Sequence, residues 1–408
     1  MPKTKVAVIF GGISTEHDIS CKSADNVIKA LDGRFDLVLV GITREGQWLR
    51  YTGDAADVTA AWESHDVTPV ALVPGMGAHA GGLFELVDGS LERIDVDVAL
   101  PVMHGQGGED GTLQGTLETC GIPYVGCGVL ASAVCMDKDA SHRLAAAAGV
   151  RSPKCEVLYR GASEAEGQAA VEACGGFPVF VKPARGGSSI GVSKATDAAS
   201  YRQALDAAFA LDRKVAVEEA IVGDEVGCAI VGDAVSGLRM GEVDQIKVLG
   251  DGFFRIHLEK NPGQNTELRC PSDLNGVVLA KVRNAARRVY EALGCEGFAR
   301  VDLFVTPEHE VVFNEVNSTP GLTYYSRFPQ MMRVAGHELG DVLEELIEAK
   351  GAGRRFSPRR AWRPEGAPAA THATCPGPWT ARSSFAGGRP SPPRRSRCRQ
   401  RAPRRWGA

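Results

Sequence analysis

The 408-residue sequence contains no run of about 18 consecutive apolar residues, so it offers no membrane-spanning helix. Its first residues, MPKTKVAVIFGG, pass directly into a strand-like run without the apolar core and cleavage site of a secretory leader. The cytoplasm is the expected compartment. Eleven cysteines are scattered with no C-x-x-C pair, which argues against a disulfide framework and against a zinc site. Buried, reduced thiols are the expectation. Gly11 and Gly12 make half of a dinucleotide fingerprint, but no G-x-G-x-x-G completes it, and the G-x-x-x-x-G-K-[ST] order of a P-loop is also missing. Lysine is absent from residues 354–408, which hold 14 arginines, nine prolines and one glutamate. That segment is +13 in a chain of net charge −4, leaving about −17 on the rest. No apolar periodicity or interleaved aromatics accompany the arginines. Such a bias fits a disordered or frameshifted tail better than a nucleic-acid module, which stays as the remote alternative.

What is present fits a soluble α/β enzyme: 44% hydrophobic residues, 48 glycines, and length enough for two or three cores. Lys5–Phe10 is a short apolar strand, and a helix from Ile19 to Leu31 follows. Strands at Leu37–Ile42 and Val96–Val102 complete a β-α-β succession that predicts an open parallel sheet with its loops facing a ligand. Residues 104–117, HGQGGEDGTLQGTL, form a glycine-rich loop entering a helix. Cys120–Cys127 reads as a strand and turn closing a first domain, and a helix runs from Lys138 to Ala148. Phe177–Lys182 is a strand whose terminal lysine precedes PARGGSSIGV. A Gly/Ser hairpin of that kind is suited to closing over phosphates with its backbone N–H groups. Val215–Ile221 is another strand, with Glu218, Glu219 and then Glu225 at its end. Those carboxylates would accept from an adenine amino group or a ribose hydroxyl, or else mark a plain surface turn. Residues 248–273 form a long polar loop with Phe253-Phe254-Arg255-Ile256-His257, of the length that usually makes a lid or is disordered. Asn275–Leu293 is an amphipathic helix, and His337–Ala349 a closing one.

The stretch from Phe298 to Gly321 carries the most chemistry. Val301–Val305 and Val311–Phe313 flank a polar turn, the pattern of an antiparallel hairpin. Glu315 and Asn317, two residues apart, share a face, and Asp302 stands across from them if the register holds. Three hard oxygen donors on one wall suit Mg²⁺; a surface hairpin with solvated carboxylates has the same spacing. Ser-Thr-Pro-Gly then makes a rigid turn that can present a backbone N–H to a substrate.

Assembled, these motifs resemble the D-alanine–D-alanine ligase family of ATP-grasp enzymes over roughly residues 3–350. The matching segments are GG-x-S-x-EHD-x-S at 11–20, HG-x-GGEDG at 104–111, KPARGGSSIGV at 182–192 and ARVDLF…NEVNSTPG at 299–321. EVDQIK at 242–247 and FRIH at 254–257 look closer to the D-alanine–D-lactate ligases of vancomycin-type resistance. The resemblance implies an N-terminal open-sheet domain over 1–128 and two α+β subdomains, 129–222 and 223–350, sandwiching ATP, before the tail at 354–408. It implies that a D-alanyl phosphate forms from ATP and is attacked by D-lactate, or by D-alanine in the ordinary ligases.

By the same resemblance, Asp302, Glu315 and Asn317 hold two Mg²⁺ ions, with Mn²⁺ as a substitute. Lys138 and Lys182 bind phosphate oxygens, Glu218 takes the adenine and Glu225 the ribose, and Ser189, Glu219 and Ile221 complete the nucleotide contacts. Glu16 pairs with the ammonium of the first D-alanine, near His104, and Ser188 links Glu16 to the lid. Arg300 and the Gly321 N–H form an oxyanion hole, Ser326 binds the second carboxylate, and His257 selects D-lactate. The expected partners are these small molecules and a second copy of the chain, with no membrane or nucleic acid.

Overall fold

The structure is a computed structural model in which residues 3–59, 61–75, 80–248 and 266–351 are described. The expectations placed on His257 and on the Arg-rich tail lie outside these residues.

Seven strands form the first sheet: β1 (Lys5–Gly11), β2 (Asp36–Ile42), β3 (Trp48–Tyr51), β4 (Val67–Val73), β5 (Gly82–Val87), β6 (Ser90–Ile94) and β7 (Val98–Pro101). Their order is β6-β5-β4-β3-β2-β1-β7. β1 runs parallel to β2 and to β7, as the β-α-β pattern predicts, and is buried on both faces from Val6 to Phe10. The other four strands continue antiparallel from β2, because links as short as 43–47 cannot make a crossover. α1 (His17–Leu31) covers one face through Ala24, Val27, Ile28 and Leu31, and α2 (Thr112–Thr119) covers the other through Leu113 and Leu117. Cys120–Cys127 does not form the expected strand; it meets β7 in one bridge, Ala99 to Tyr124.

α3 (Val129–Met136) and α4 (Lys138–Ala147) lead to a second, antiparallel sheet of β8 (Cys155–Tyr159), β9 (Val179–Pro183), β10 (Ser193–Ala195) and β11 (Lys214–Glu219), ordered β10-β9-β11-β8. α5 (Glu164–Ala173) and α6 (Ala198–Leu211) close its core. The third sheet holds β12 (Asp224–Asp233), β13 (Gly237–Val248), β14 (Thr266–Arg269), β15 (Phe298–Val305) and β16 (Val311–Asn317), all antiparallel. α7 (Gly276–Ala292) packs on it through Val278, Val282, Ala286, Val289 and Tyr290, spaced at three and four residues as one apolar stripe requires. Its start is capped by Asn275, whose side chain accepts from the N–H groups of Val277 and Val278. α8 (Arg327–Val334) and α9 (Leu339–Gly351) then return to the first sheet. Phe328, Met331, Leu343 and Ile347 share one core with Val6, Val8 and Val98 of the first sheet and Val231 of the third. Among the described residues no helix is long and apolar enough to cross a membrane.

Candidate active site

The β15–β16 ladder pairs Asp302 with Glu315 and Arg300 with Asn317, so all four side chains stand on one face. The register shifts just beyond Asp302, where Leu303 pairs with Phe313 and Asn314 is the extra residue. A bulge of this kind re-aims the strand that follows it, here the Glu315–Asn317 segment. The freed Asn314 carbonyl accepts from His142 Nε2 of α4 at 2.9 Å. Asp302 is almost fully buried, and Arg300 grips both of its oxygens at 2.8–3.1 Å while the Asn317 amide donates to Oδ2 at 2.9 Å. Burial alone would raise the Asp302 pKa; Arg300 first, then Arg327 and Asn317, hold it below the ordinary carboxylate value. The wall therefore carries an ionised carboxylate, a second carboxylate and an amide oxygen, a donor set that fits a hard divalent cation. Arg300, expected to face a substrate oxyanion, is bound here to Asp302.

On the opposite side, Lys138 at the start of α4 donates to the carbonyl of Gly186 at 2.8 Å and lies 3.3 Å from Glu315 Oε2. Lys182, at the end of β9, is buried against Glu218 Oε2 at 2.5 Å. Burial works to lower its pKa, but Glu218 and then Glu315 hold it above the usual lysine value, so it stays charged. The 183–192 loop is anchored at its root by Arg185, which makes a two-pronged pair with Asp212. At its tip Ser188 and Ser189 both take left-handed backbone angles, φ +49° and +56°. That turn directs the Ser188 hydroxyl to donate to Glu16 Oε1. A Cβ at Gly187 would lie 2.7 Å from Glu16 Oε2 and push that carboxylate aside. The same holds at Gly105, where a Cβ would lie 2.5 Å from that oxygen.

His104 is buried, with Nδ1 donating to the Thr319 carbonyl at 2.9 Å and Nε2 accepting from Ser23 Oγ at 3.0 Å. Ser23 Oγ in turn accepts from the N–H of Leu322 at 3.2 Å, so the turn through Gly321 is held from beneath. Ser326 stands at the N-cap position of α8, but its hydroxyl turns to that of Thr323 at 2.6 Å instead of capping the helix. Glu225 meets Arg327 at 2.5 Å; burial first, then the nearby Asp302, raises its pKa against that pairing. Glu219 turns instead to Arg151 and to the backbone N–H of Lys154, each at 3.1 Å, and Ile221 lies just past the end of β11, half-buried. Neither of these two side chains joins the charged cluster.

Three residues that the sequence reading gave no role now stand inside the site. Glu109 accepts from Gly105 N–H and Thr319 N–H, both at 2.8 Å. Burial first, then the Glu16 carboxylate, raise its pKa to about 8. With His104 it holds Thr319 at both its N–H and its carbonyl. Arg327 joins Glu225 and Asp244, the latter through Nε and a terminal nitrogen at 2.7 and 2.8 Å. Glu109 lies within the quoted HG-x-GGEDG and Asp244 within EVDQIK, so the motifs contained them; only their contacts were invisible.

Comparison with known proteins agrees with this geometry. Residues 5–127 match the family model described as D-ala D-ala ligase N-terminus, and residues 144–348 match D-ala D-ala ligase C-terminus. The chain is 43% identical over 358 residues to a Streptomyces coelicolor protein provisionally named a D-alanine–D-lactate ligase, covering 87% of this chain and 99% of that one. It is 41% identical over 351 residues to the vancomycin B-type resistance protein VanB of Enterococcus faecalis, covering 85% and 98%. The crystal structure of the VanG D-Ala:D-Ser ligase from Enterococcus faecalis superposes with a TM-score of 0.76 at 41% identity, covering 85% and 99%. Relatives are thus nearly equidistant although their names differ in the second substrate. The chain belongs to the D-alanine–D-alanine ligase family of ATP-dependent, ATP-grasp ligases.

Proposed function

We propose that this protein joins D-alanine to D-lactate through a D-alanyl phosphate made from ATP, supplying peptidoglycan precursors that confer glycopeptide resistance. The observation that carries the reading is a continuous chain of contacts. Glu315 meets Lys138, Lys138 meets Gly186 of the loop, and two residues on Ser188 meets Glu16. A phosphate-side cation, a metal-side carboxylate and an ammonium-binding carboxylate are thereby gathered under one lid. Phosphoryl transfer to a carboxylate needs this combination of charge neutralisation and positioning.

In this reading Glu16 binds the ammonium of D-alanine, and Ser188 carries the lid onto that same carboxylate, shielding the acyl phosphate from water. Lys138 and Lys182 hold phosphate oxygens. Glu218 and Glu225 serve the adenine and ribose, and Ser189 lends its place in the lid. Asp302, Glu315 and Asn317 would hold the divalent ions, two Mg²⁺ or Mn²⁺, which neutralise phosphate charge when bound. Arg300 and the Gly321 N–H serve the oxyanion, which requires Arg300 to exchange Asp302 for the substrate oxygen. One such donor contributes roughly 3–4 kcal/mol. His104 is a positioning residue for the Ser318–Gly321 turn, and Ser326 takes the carboxylate of the second substrate.

D-Lactate presents a neutral hydroxyl and an anionic carboxylate, whereas D-alanine must lose a proton from its ammonium before it can attack. An imidazolium at His257 would repel the ammonium and attract the lactate, so acid should favour the ester. Incubation with ATP, D-alanine and D-lactate at pH 6 and pH 8, followed by separation of the products, tests this. D-Alanyl-D-lactate should dominate at pH 6, and His257→Ala should lower lactate use more than alanine use. Exclusive D-alanyl-D-alanine at both pH values would make the protein an ordinary D-alanine–D-alanine ligase.

A further inference from the structure

We propose that His142, Cys155 and Glu218 form a site for a single zinc-like divalent cation on the nucleotide side of the cleft, and that its occupancy opposes ATP binding. Cys155 of β8 and Glu218 of β11 are direct cross-strand partners, and such partners project from the same face of a sheet. α4 brings His142 to that face. One nitrogen, one sulfur and one oxygen of the three side chains lie within 4.8 Å of one another.

Two of the three prospective ligand atoms, His142 Nδ1 and Glu218 Oε1, have no hydrogen-bond partner among the described residues. The Asn314 carbonyl can only accept, so the 2.9 Å contact puts a proton on His142 Nε2, and in the neutral ring Nδ1 then carries a lone pair. An edge-on contact with Phe313, centroids 5.5 Å apart, fixes the ring in that orientation. Nδ1 then faces Glu218 Oε1 at 4.0 Å, too far for a hydrogen bond. Both residues are more than nine-tenths buried, and neither atom has a hydrogen-bond partner among the described residues. Leaving such groups buried and unpaired is unfavourable. In the neutral ring, a lone pair and a carboxylate oxygen confront each other across a gap that a cation can bridge.

Imidazole nitrogen, thiolate sulfur and carboxylate oxygen are the ligands zinc takes, with bonds of about 2.0–2.3 Å. Tetrahedral ligation would bring the nitrogen and oxygen to about 3.4 Å, a closure of about 0.6 Å from the observed 4.0 Å gap. The Nε2–H resting on a backbone carbonyl is the outer support that metal-bound histidines have. The sulfur ligand separates this site from the oxygen-only wall at Asp302, which suits harder ions. Binding would convert the Cys155 thiol to a thiolate with release of one proton, without redox change. The scattered cysteines argued against zinc only because no two are close in sequence; here the ligands come from one helix and two strands.

Glu218 is shared. Its other oxygen holds Lys182 at 2.5 Å, so a cation on Oε1 would weaken the grip on that lysine. The opposition to ATP rests on the nucleotide role proposed above for Lys182 and Glu218; the binding of metal does not.

The test uses the full-length, reduced, metal-free protein in excess Mg²⁺, with Co²⁺ as a spectroscopic probe and Zn²⁺ as its competitor. One equivalent of Co²⁺ should produce a thiolate-to-metal charge-transfer band that Zn²⁺ abolishes and that is missing in Cys155→Ala. Zn²⁺ should raise KM for ATP at least several-fold in the wild type and leave Cys155→Ala, which is otherwise fully active, unaffected. No stoichiometric band, or a band that survives Cys155→Ala, overturns the site. A band with an unchanged KM for ATP keeps the site and overturns its opposition to nucleotide.

Discussion

The β15–β16 hairpin and the 183–192 loop both deliver groups to the cleft, one through a hydrogen-bonded ladder and the other through tethers. In the hairpin the positions of Asp302, Glu315, Arg300 and Asn317 are set by strand pairing and a single bulge. In the loop they are set by Arg185 on Asp212 at the root, Lys138 on the Gly186 carbonyl, and Ser188 on Glu16 at the tip. A ladder fixes many residues at once and resists the loss of any one side chain. A tethered loop is only as well placed as its contacts, and those contacts can be released for substrate to enter. Substitutions in the hairpin should therefore damage chemistry and spare structure, whereas substitutions at the tethers should damage substrate capture.

The largest effect expected is from Glu315→Gln, which removes a metal-side charge without changing shape. ATP-dependent ligation should fall on the order of a thousand-fold or more, with an unchanged circular-dichroism spectrum and melting temperature. Near-normal turnover would remove the hairpin from the chemistry. Next comes Glu109→Gln, which replaces one acceptor of a buried pair with a donor. The mispaired N–H should cost about 1–3 kcal/mol, seen as a roughly 10- to 100-fold drop in kcat/KM.

The same substitution has a pH signature. The Glu109 carboxyl titrates at about 8 when folded against an ordinary value of 4.5, so its contribution to stability is complete below about pH 4.5 and is lost as pH rises through 8. Wild-type melting temperature should accordingly decline relative to Glu109→Gln between pH 6 and 9, and parallel curves would refute the raised pKa. Ser188→Ala, which cuts the tip tether, should raise KM for D-alanine roughly tenfold with a smaller change in kcat. An effect confined to kcat would mean that the loop is held by something other than its tip. Glu219→Gln should alter kcat/KM by less than about threefold, because Glu219 is spent on a partly exposed pair with Arg151. A large loss of ATP affinity there would return Glu219 to the nucleotide site.

The hairpin was legible because strand alternation is a period of two, so Asp302, Glu315 and Asn317 could be assigned to one face before any fold was known. The bulge at Asn314 was not, since nothing in VVFNEVN marks which residue will be left unpaired. The lysine ending a strand and the Gly/Ser run were readable as a phosphate loop; the use of consecutive left-handed serines to aim Ser188 was not. Glu109 hid in plain view, as did the contacts of His104, because a motif gives residue types and not which backbone groups they hold. His142 and Cys155 had no signal at all. Their meeting with Glu218 depends on which strands become neighbours, a decision made by the whole second sheet. The parallel core of the first sheet followed from its β-α-β pattern, while its antiparallel extension was set by links too short for a reader tracking only apolar runs.

The return of α8 and α9 to the first sheet has a mechanical consequence. One uninterrupted apolar core runs from Val6 and Val98 through Phe328, Met331 and Leu343 to Val231, so the first and third sheets behave as a single anvil. The second sheet keeps a core of its own, built on Leu158, Val181, Tyr201 and Val217. Nucleotide held between them should therefore tighten the second sheet and its loop more than the anvil. Amide exchange in β8–β11 should slow on nucleotide binding far more than in β1 or β15.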